Sequence, residues 1–258
     1  MRWTGKVVGG LVGAAFGLPG ALVGAIVGHT FDGDTADGSA EPDVEALADL
    51  MFDTTFAVMG FLAKADGRVS EAEIEAARGV MRSLRLGEAQ VQRAIRAYRW
   101  GKTPDYPIDE RIAALRARCG AQREVLRFFV EVQMRAALVG NDLKGPVRPM
   151  LAAIAERLGF PAPDLARLES LLRDEMGGPG RDPLDAGRQR AHAYATLGIS
   201  GDCSDAEVKK AYRRQMSENH PDKLVARGLP ESMQDMAKET TQRIREAYDT
   251  ICRARGIR

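Results

Sequence analysis

Cysteine, histidine and aromatic residues are all scarce in this chain of 258 residues, and each shortage excludes something. Cys119, Cys203 and Cys252 stand far apart with no CxxC pair, so neither a zinc site nor a dithiol redox motif can be read. Their odd number fits a reducing compartment, where they read as small buried or surface thiols. Charge of one sign is also missing. Against 37 Lys and Arg stand 36 Asp and Glu; a formal net charge of +1 supplies no global field for nucleic acid. Aromatics make up 6 % of the chain, and alternating runs of Val, Ile and Thr are nearly absent, which removes the signature of a sheet. Ala, Leu, Arg and Glu dominate beyond residue 44. The expected fold is all-α, in a chain long enough for one or two domains with a real core.

One long run lacks charge altogether. The 22 residues from Val7 to Gly28 carry none, and as a helix they would extend about 33 Å, the thickness of a bilayer's hydrocarbon core. A cleaved signal peptide would have a shorter apolar region, so residues 1–31 are expected to be a lasting transmembrane anchor. Gly5, Gly9, Gly13 and Gly17 recur every fourth residue, and Gly20, Gly24 and Gly28 repeat the spacing after Pro19. Such rows place small residues on one helix face, where two backbones can meet, and predict a homodimer through the span. Residues 32–43 are acidic and Gly-rich and read as a flexible link. Arg2 and Lys6 before the span, with Asp32, Asp34, Asp37, Glu41, Asp43 and Glu45 after it, favour an exported body by the positive-inside rule.

Residues 44–175 repeat apolar positions at helical spacing. Leu47, Leu50, Met51, Phe56, Met59 and Leu62 mark a first helix. Ser70 with Glu73 forms a capping box for a second, which Gly87 is expected to end. Helices over about 88–100, 107–119, 121–139, 146–158 and 162–175 complete a bundle. Counted as a calcium loop from Asp66, the positions that need oxygen ligands and a glycine include Arg68 and Glu71, so the EF-hand pattern fails and no metal site is expected. A faint repeat links the helix ending Leu84-Arg-Leu-Gly87 to the one ending Glu156-Arg-Leu-Gly159. The run Met59-Gly-Phe-Leu-Ala-Lys-Ala-Asp66-Gly-Arg-Val-Ser-Glu71 resembles the opening of TerB-type domains.

Gly and Pro crowd residues 176–188, which read as a second linker. Beyond it, Tyr194-Ala-Thr-Leu197-Gly198-Ile199 closes a short helix, and Ser204 with Glu207 caps the next. That helix has two faces. Val208, Ala211, Tyr212 and Met216 share an inner stripe, while Lys209 with Arg213 and Lys210 with Arg214 stack outside at four-residue spacing. An outer face of one sign suits an acidic partner. A third helix brings Ile244, Ala247, Tyr248 and Ile251 against the stripe, with Leu197 closing a small core. At the tip stand His220, Pro221 and Asp222; proline stops the helix there. A catalytic His–Asp pair would need a third, nucleophilic member, and no such motif accompanies it; no catalytic residue and no cofactor are expected.

A His-Pro-Asp triplet between a basic helix and an apolar-striped one resembles the J domain of DnaJ-type co-chaperones, here over residues 189–258. The order of span, TerB-like domain and terminal J domain, with the run Tyr212-Arg-Arg-Gln-Met-Ser-Glu-Asn-His220-Pro-Asp-Lys-Leu-Val-Ala-Arg-Gly-Leu-Pro230, resembles the DjlA family of membrane-anchored DnaJ-like proteins across nearly the whole chain. The resemblance implies no enzyme, but a co-chaperone whose His220, Pro221 and Asp222 trigger the ATPase of a DnaK-type chaperone, docked on Lys209, Lys210, Arg213 and Arg214. Because that partner consumes ATP, the body and J domain are expected on the cytoplasmic side of a bacterial inner membrane, against the charge flanks of the span. The alternative is a membrane-tethered stress-sensing or metal-responsive module acting through the TerB-like domain.

Overall fold

The computed structural model describes residues 44–65, 67, 69–176 and 185–257. The predicted span with its seven glycines, the acidic link, Asp66 and Arg68 lie outside the described residues. All the regular structure described is helical: α1 Val44–Ala63, α2 Glu71–Ser83, α3 Glu88–Gly101, α4 Ile108–Cys119, α5 Arg123–Asn141, α6 Val147–Arg157, α7 Ala162–Met176, α8 Asp185–Leu197, α9 Asp205–Glu218, α10 Pro221–Val225 and α11 Gln234–Arg255, the last preceded by a 3₁₀ turn at Glu231–Met233.

The first helix is the axis of the bundle. Long and apolar enough to cross a membrane, it is instead buried along most of its length, from Leu47 to Ala63. The all-round apolar character that makes it resemble a span is that of a helix surrounded by protein. Its closest neighbour is α3. A Cβ placed on Gly60 would lie 2.0 Å from the Tyr98 carbonyl oxygen, and one on Gly101 would lie 1.8 Å from that of Ala57. No side chain fits at either point, so these two glycines set the distance between the helices. Arg93 fastens the other end of the crossing, with Nε 2.7 Å from Asp53 Oδ1 and Nη1 2.5 Å from Asp49 Oδ1. On a further side of α1, buried Gln133 of α5 donates to the Thr55 carbonyl at 2.9 Å.

Ser70 caps α2 as expected. Its hydroxyl accepts from the Glu73 amide, and the Glu73 carboxylate accepts from the Ser70 amide at 2.8 Å. Gly87 does not end α2. It is the N-cap of α3, and the left-handed turn falls on Arg85, at φ 48°. The amide of Leu86 then reaches the Met81 carbonyl and that of Arg85 the Arg82 carbonyl, a Schellman closure. The end of α6 has the same bonds, Phe160 to Ala155 and Gly159 to Glu156, so Arg85 stands where Gly159 does. The two Leu-Gly endings that look alike as letters are two places out of register in space.

After the described residues resume, α8 starts at Asp185, inside the stretch expected as linker. Helices α9 and α11 zip as expected, burying Val208, Ala211, Ile244, Ala247 and Ile251 around Leu197, which has no exposed surface. This small cluster serves only one face of the hairpin. On the other, Leu224, Leu229, Met233, Met236 and Ala237 belong to the same continuous apolar core as α1 and α5.

Candidate functional site

Helix α9 starts with the predicted capping box, the Ser204 amide donating to Glu207 Oε2 at 2.7 Å. Those bonds from the serine hydroxyl and backbone hold the Glu207 carboxyl below the usual range. A start fixed in this way sets which side chains point outward. Lys209, Lys210, Arg213 and Arg214 are all exposed, and Val208 and Ala211 are buried. Gln215 is buried on the inner stripe as well.

The helix ends on a polar lock. Asn219 is buried, and its side-chain amide donates to the Gln215 carbonyl at 2.8 Å and to Gln215 Oε1 at 3.1 Å. These contacts fix the chain immediately before His220. Proline was expected to stop the helix, and α9 does end at Glu218, but the tip beyond it is not a plain loop. Pro221 occupies the first position of the short helix α10, with His220 as its N-cap at φ −61° and ψ 128°. Its ring predisposes φ for a helix start, where its missing amide costs nothing. The His220 carbonyl accepts from the Leu224 amide at 3.0 Å.

Within this turn the side chains divide cleanly. Pro221 and Leu224 are buried, while His220 and Asp222 keep 55 % and 79 % of their side-chain surface exposed. The His220 ring and the Asp222 carboxylate approach only to 3.9 Å, too far for the hydrogen bond that orients a catalytic base. Gln234 at the start of α11 donates to Asp222 Oδ1 at 3.3 Å, and Lys223 donates to the Ser217 hydroxyl at 3.2 Å. The imidazole and a carboxylate are thus displayed to solvent from a backbone held on both sides. No group of three or more His, Cys, Asp or Glu able to hold a metal occurs among the described residues.

Arg255 locks the far end of the hairpin. It donates to the Tyr194 hydroxyl at 2.6 Å, to the Cys203 carbonyl at 2.6 Å and to the Gly201 carbonyl at 2.8 Å, and pairs with Asp205 at 3.1 Å. The tyrosine and aspartate partners raise its already high pKa further. Neither Arg255 nor Asn219 was singled out in the sequence. Gln215 could have been, since it falls one turn beyond Ala211 on the buried stripe.

A short N-terminal helix, a basic antiparallel partner, a His-Pro-Asp turn and a long closing helix define a J domain, the module by which co-chaperones engage an ATP-dependent chaperone. Comparison with known proteins agrees: residues 192–256 match the family model for the DnaJ domain, and residues 1–42 match that for the co-chaperone DjlA transmembrane domain. Three proteins named co-chaperone protein DjlA are similar over most of their lengths. That of Coxiella burnetii is 40 % identical over 227 residues, covering 86 % of this chain and 83 % of the relative. That of Haemophilus influenzae is 38 % identical, covering 81 % of each chain, and that of Aliivibrio fischeri is 38 % identical, covering 80 % and 79 %. No solved structure matches. The chain belongs to the DjlA family. It is a membrane-anchored J-domain co-chaperone of a DnaK-type chaperone; the alternative of a metal-responsive module has no support in these matches.

Proposed function

We propose that His220, Pro221 and Asp222 trigger ATP hydrolysis in the DnaK-type partner, and that Lys209, Lys210, Arg213 and Arg214 steer and hold it. The protein acts as a regulator and performs no catalysis itself. The observation that carries this reading is the contrast within one turn: His220 and Asp222 stand exposed beside an exposed basic helix face, on a backbone anchored by buried Pro221, Leu224 and Asn219. Proline fixes the approach, and Asp222 offers a carboxylate for a charge-assisted bond from an arginine.

The test is the ATPase rate of the chaperone with the full chain added. His220→Gln abolishes stimulation while the helical content stays that of the parent. Stimulation equal to the parent's would reject the mechanism.

The same reading places a TerB-like body over residues 44–175 and the J domain over residues 189–258 on the cytoplasmic side, where ATP is available. A reporter fused after Arg258 should be active in the cytoplasm; activity only outside it would reverse the topology. The glycine rows from Gly5 to Gly28 support a dimer through the span. Crosslinking in membranes should give a dimer in the parent, and a monomer when Gly9 and Gly13 are changed to Leu.

A further inference from the structure

The turn that faces the chaperone is not supported by the J-domain helices alone. Immediately after Asp222 the chain runs into the bundle. Leu224, Leu229, Met233, Met236 and Ala237 are each at most 8 % exposed, and they share one core with α1 and α5. Gly228, at φ 95°, is pressed against Leu47 so closely that a Cβ would lie 2.5 Å from Leu47 Cδ2. The left-handed backbone and this close contact each require glycine there.

Beside that apolar seat lies a cluster of four charges. Arg243 of α11 spans two carboxylates of the bundle: Nη2 is 2.6 Å from Glu131 Oε1 of α5, and Nη1 is 2.7 Å from Glu175 Oε1 of α7. Arg135 braces both acids from behind, 3.2 Å from Glu131 and 2.7 Å from Glu175. Glu131 retains 9 % of its side-chain exposure. Its burial would raise its pKa, but the guanidinium groups of Arg243, Arg135 and Arg127 outweigh that and hold it ionised, below the usual glutamate range. A planar guanidinium with one nitrogen on each carboxylate fixes orientation as well as distance. At its other end, α11 supplies Gln234 to the Asp222 carboxylate. A continuous path therefore runs from Glu131 and Glu175, through Arg243 and α11, to the triplet.

We propose that Glu131, Glu175 and Leu47 of the bundle are positioning residues for the His-Pro-Asp turn, so that the middle domain sets the geometry in which the triplet meets the chaperone. This rests on the reading of the triplet as the trigger of hydrolysis. The basic face of α9 lies outside the path, so capture of the chaperone and triggering of its ATPase are separable in this protein.

The experiment titrates the full chain, in detergent or vesicles, against a DnaK-type chaperone and reads both the plateau of stimulated ATPase and the concentration giving half of it. Glu131→Gln and Arg243→Met each lower the plateau about tenfold, less than the roughly hundredfold that a 1 Å misplacement of a reacting group can cost. The half-maximal concentration stays within about twofold, because the steering charges are intact. Arg243→Lys, which keeps the charge but loses the fork, gives an intermediate plateau. A variant that merely unfolds in part behaves differently: fewer active molecules raise the half-maximal concentration and leave the plateau unchanged. Glu175→Gln, at the more exposed edge of the cluster, provides the same comparison if either buried variant fails to fold. Parental plateaus in all the folded variants would overturn the proposal. A parent chain that gives no stimulation would instead overturn the trigger reading on which it rests.

Discussion

The rings of Tyr212 and Tyr248 stack with their centroids 4.2 Å apart and their planes inclined by 17°, joining α9 to α11 at the edge of the small core beneath them. Both rings are only half-buried, yet they are the one aromatic pair in the hairpin. Offset stacking of this kind adds roughly 0.5–1.5 kcal/mol to the apolar area it covers. Tyr248→Ala should therefore lower the stability of the full chain by about 2 kcal/mol, and Tyr248→Phe by much less. The midpoint of urea unfolding reads both; equal losses would show that the hydroxyl, not the ring, carries the contact.

Arg85 holds a left-handed backbone that a side chain other than glycine adopts at a cost of about 1 kcal/mol. Its head is 82 % exposed and 3.6 Å from Asp235, a surface pair of little worth. Arg85→Gly should raise the unfolding free energy by about 0.5–1 kcal/mol. Thermal melting checks the sign, and a fall would mean that the ion pair to Asp235 outweighs the backbone strain.

The carboxylate of Glu131 should make the junction between bundle and hairpin acid-sensitive. Its folded pKa is held below the unfolded one, so its contribution is fully present above the ordinary glutamate range and is lost as pH falls through the lower folded value. Amide exchange over residues 224–243 should accelerate in that acid window and stay flat near neutrality. In Glu131→Gln the acid step should vanish.

Cys119 is 1 % exposed, and burial pushes its thiol up to about 11. Cys203 and Cys252 are half-buried. Under native conditions near pH 8, Cys119 should resist alkylation, because reactivity follows the thiolate; all three should react after denaturation. Mass spectrometry of the native adduct decides it.

The four exposed cations of α9 should give association with the chaperone a marked salt dependence. Raising salt from about 0.05 M to about 0.5 M should slow it about tenfold, since surface charges are screened beyond a few ångströms at the higher value. His220→Gln should keep that dependence, because steering does not pass through the imidazole. A rate indifferent to salt would remove the steering role.

What could be read from the sequence follows from how far each signal reaches along the chain. The Ser70–Glu73 and Ser204–Glu207 caps depend on residues three apart, and both form as read. The α9 stripe is set by one helix's own periodicity, and it also appears. The end of α2 was misread because glycine was assigned the left-handed turn, whereas packing of Leu84 and Leu86 placed that turn on Arg85. The cluster joining Arg243 to Glu131 bridges 112 residues, and no spacing rule pairs one arginine among many with one glutamate at that range. The seat of Gly228 on Leu47 was equally hidden, because a single glycine between Arg227 and Leu229 reads as an ordinary turn.

The composition between α7 and α8 reads as a linker, but the apolar core does not divide there. Severing the chain within residues 177–184 should leave two pieces with matching hydrophobic scars, one lacking the lid over Leu47 and the other exposing Leu229 and Met233. Such pieces should seek each other in solution. Bundle and hairpin therefore share one core, and transplanting the last seventy or so residues into another protein would leave Leu224, Leu229 and Met233 without their cover.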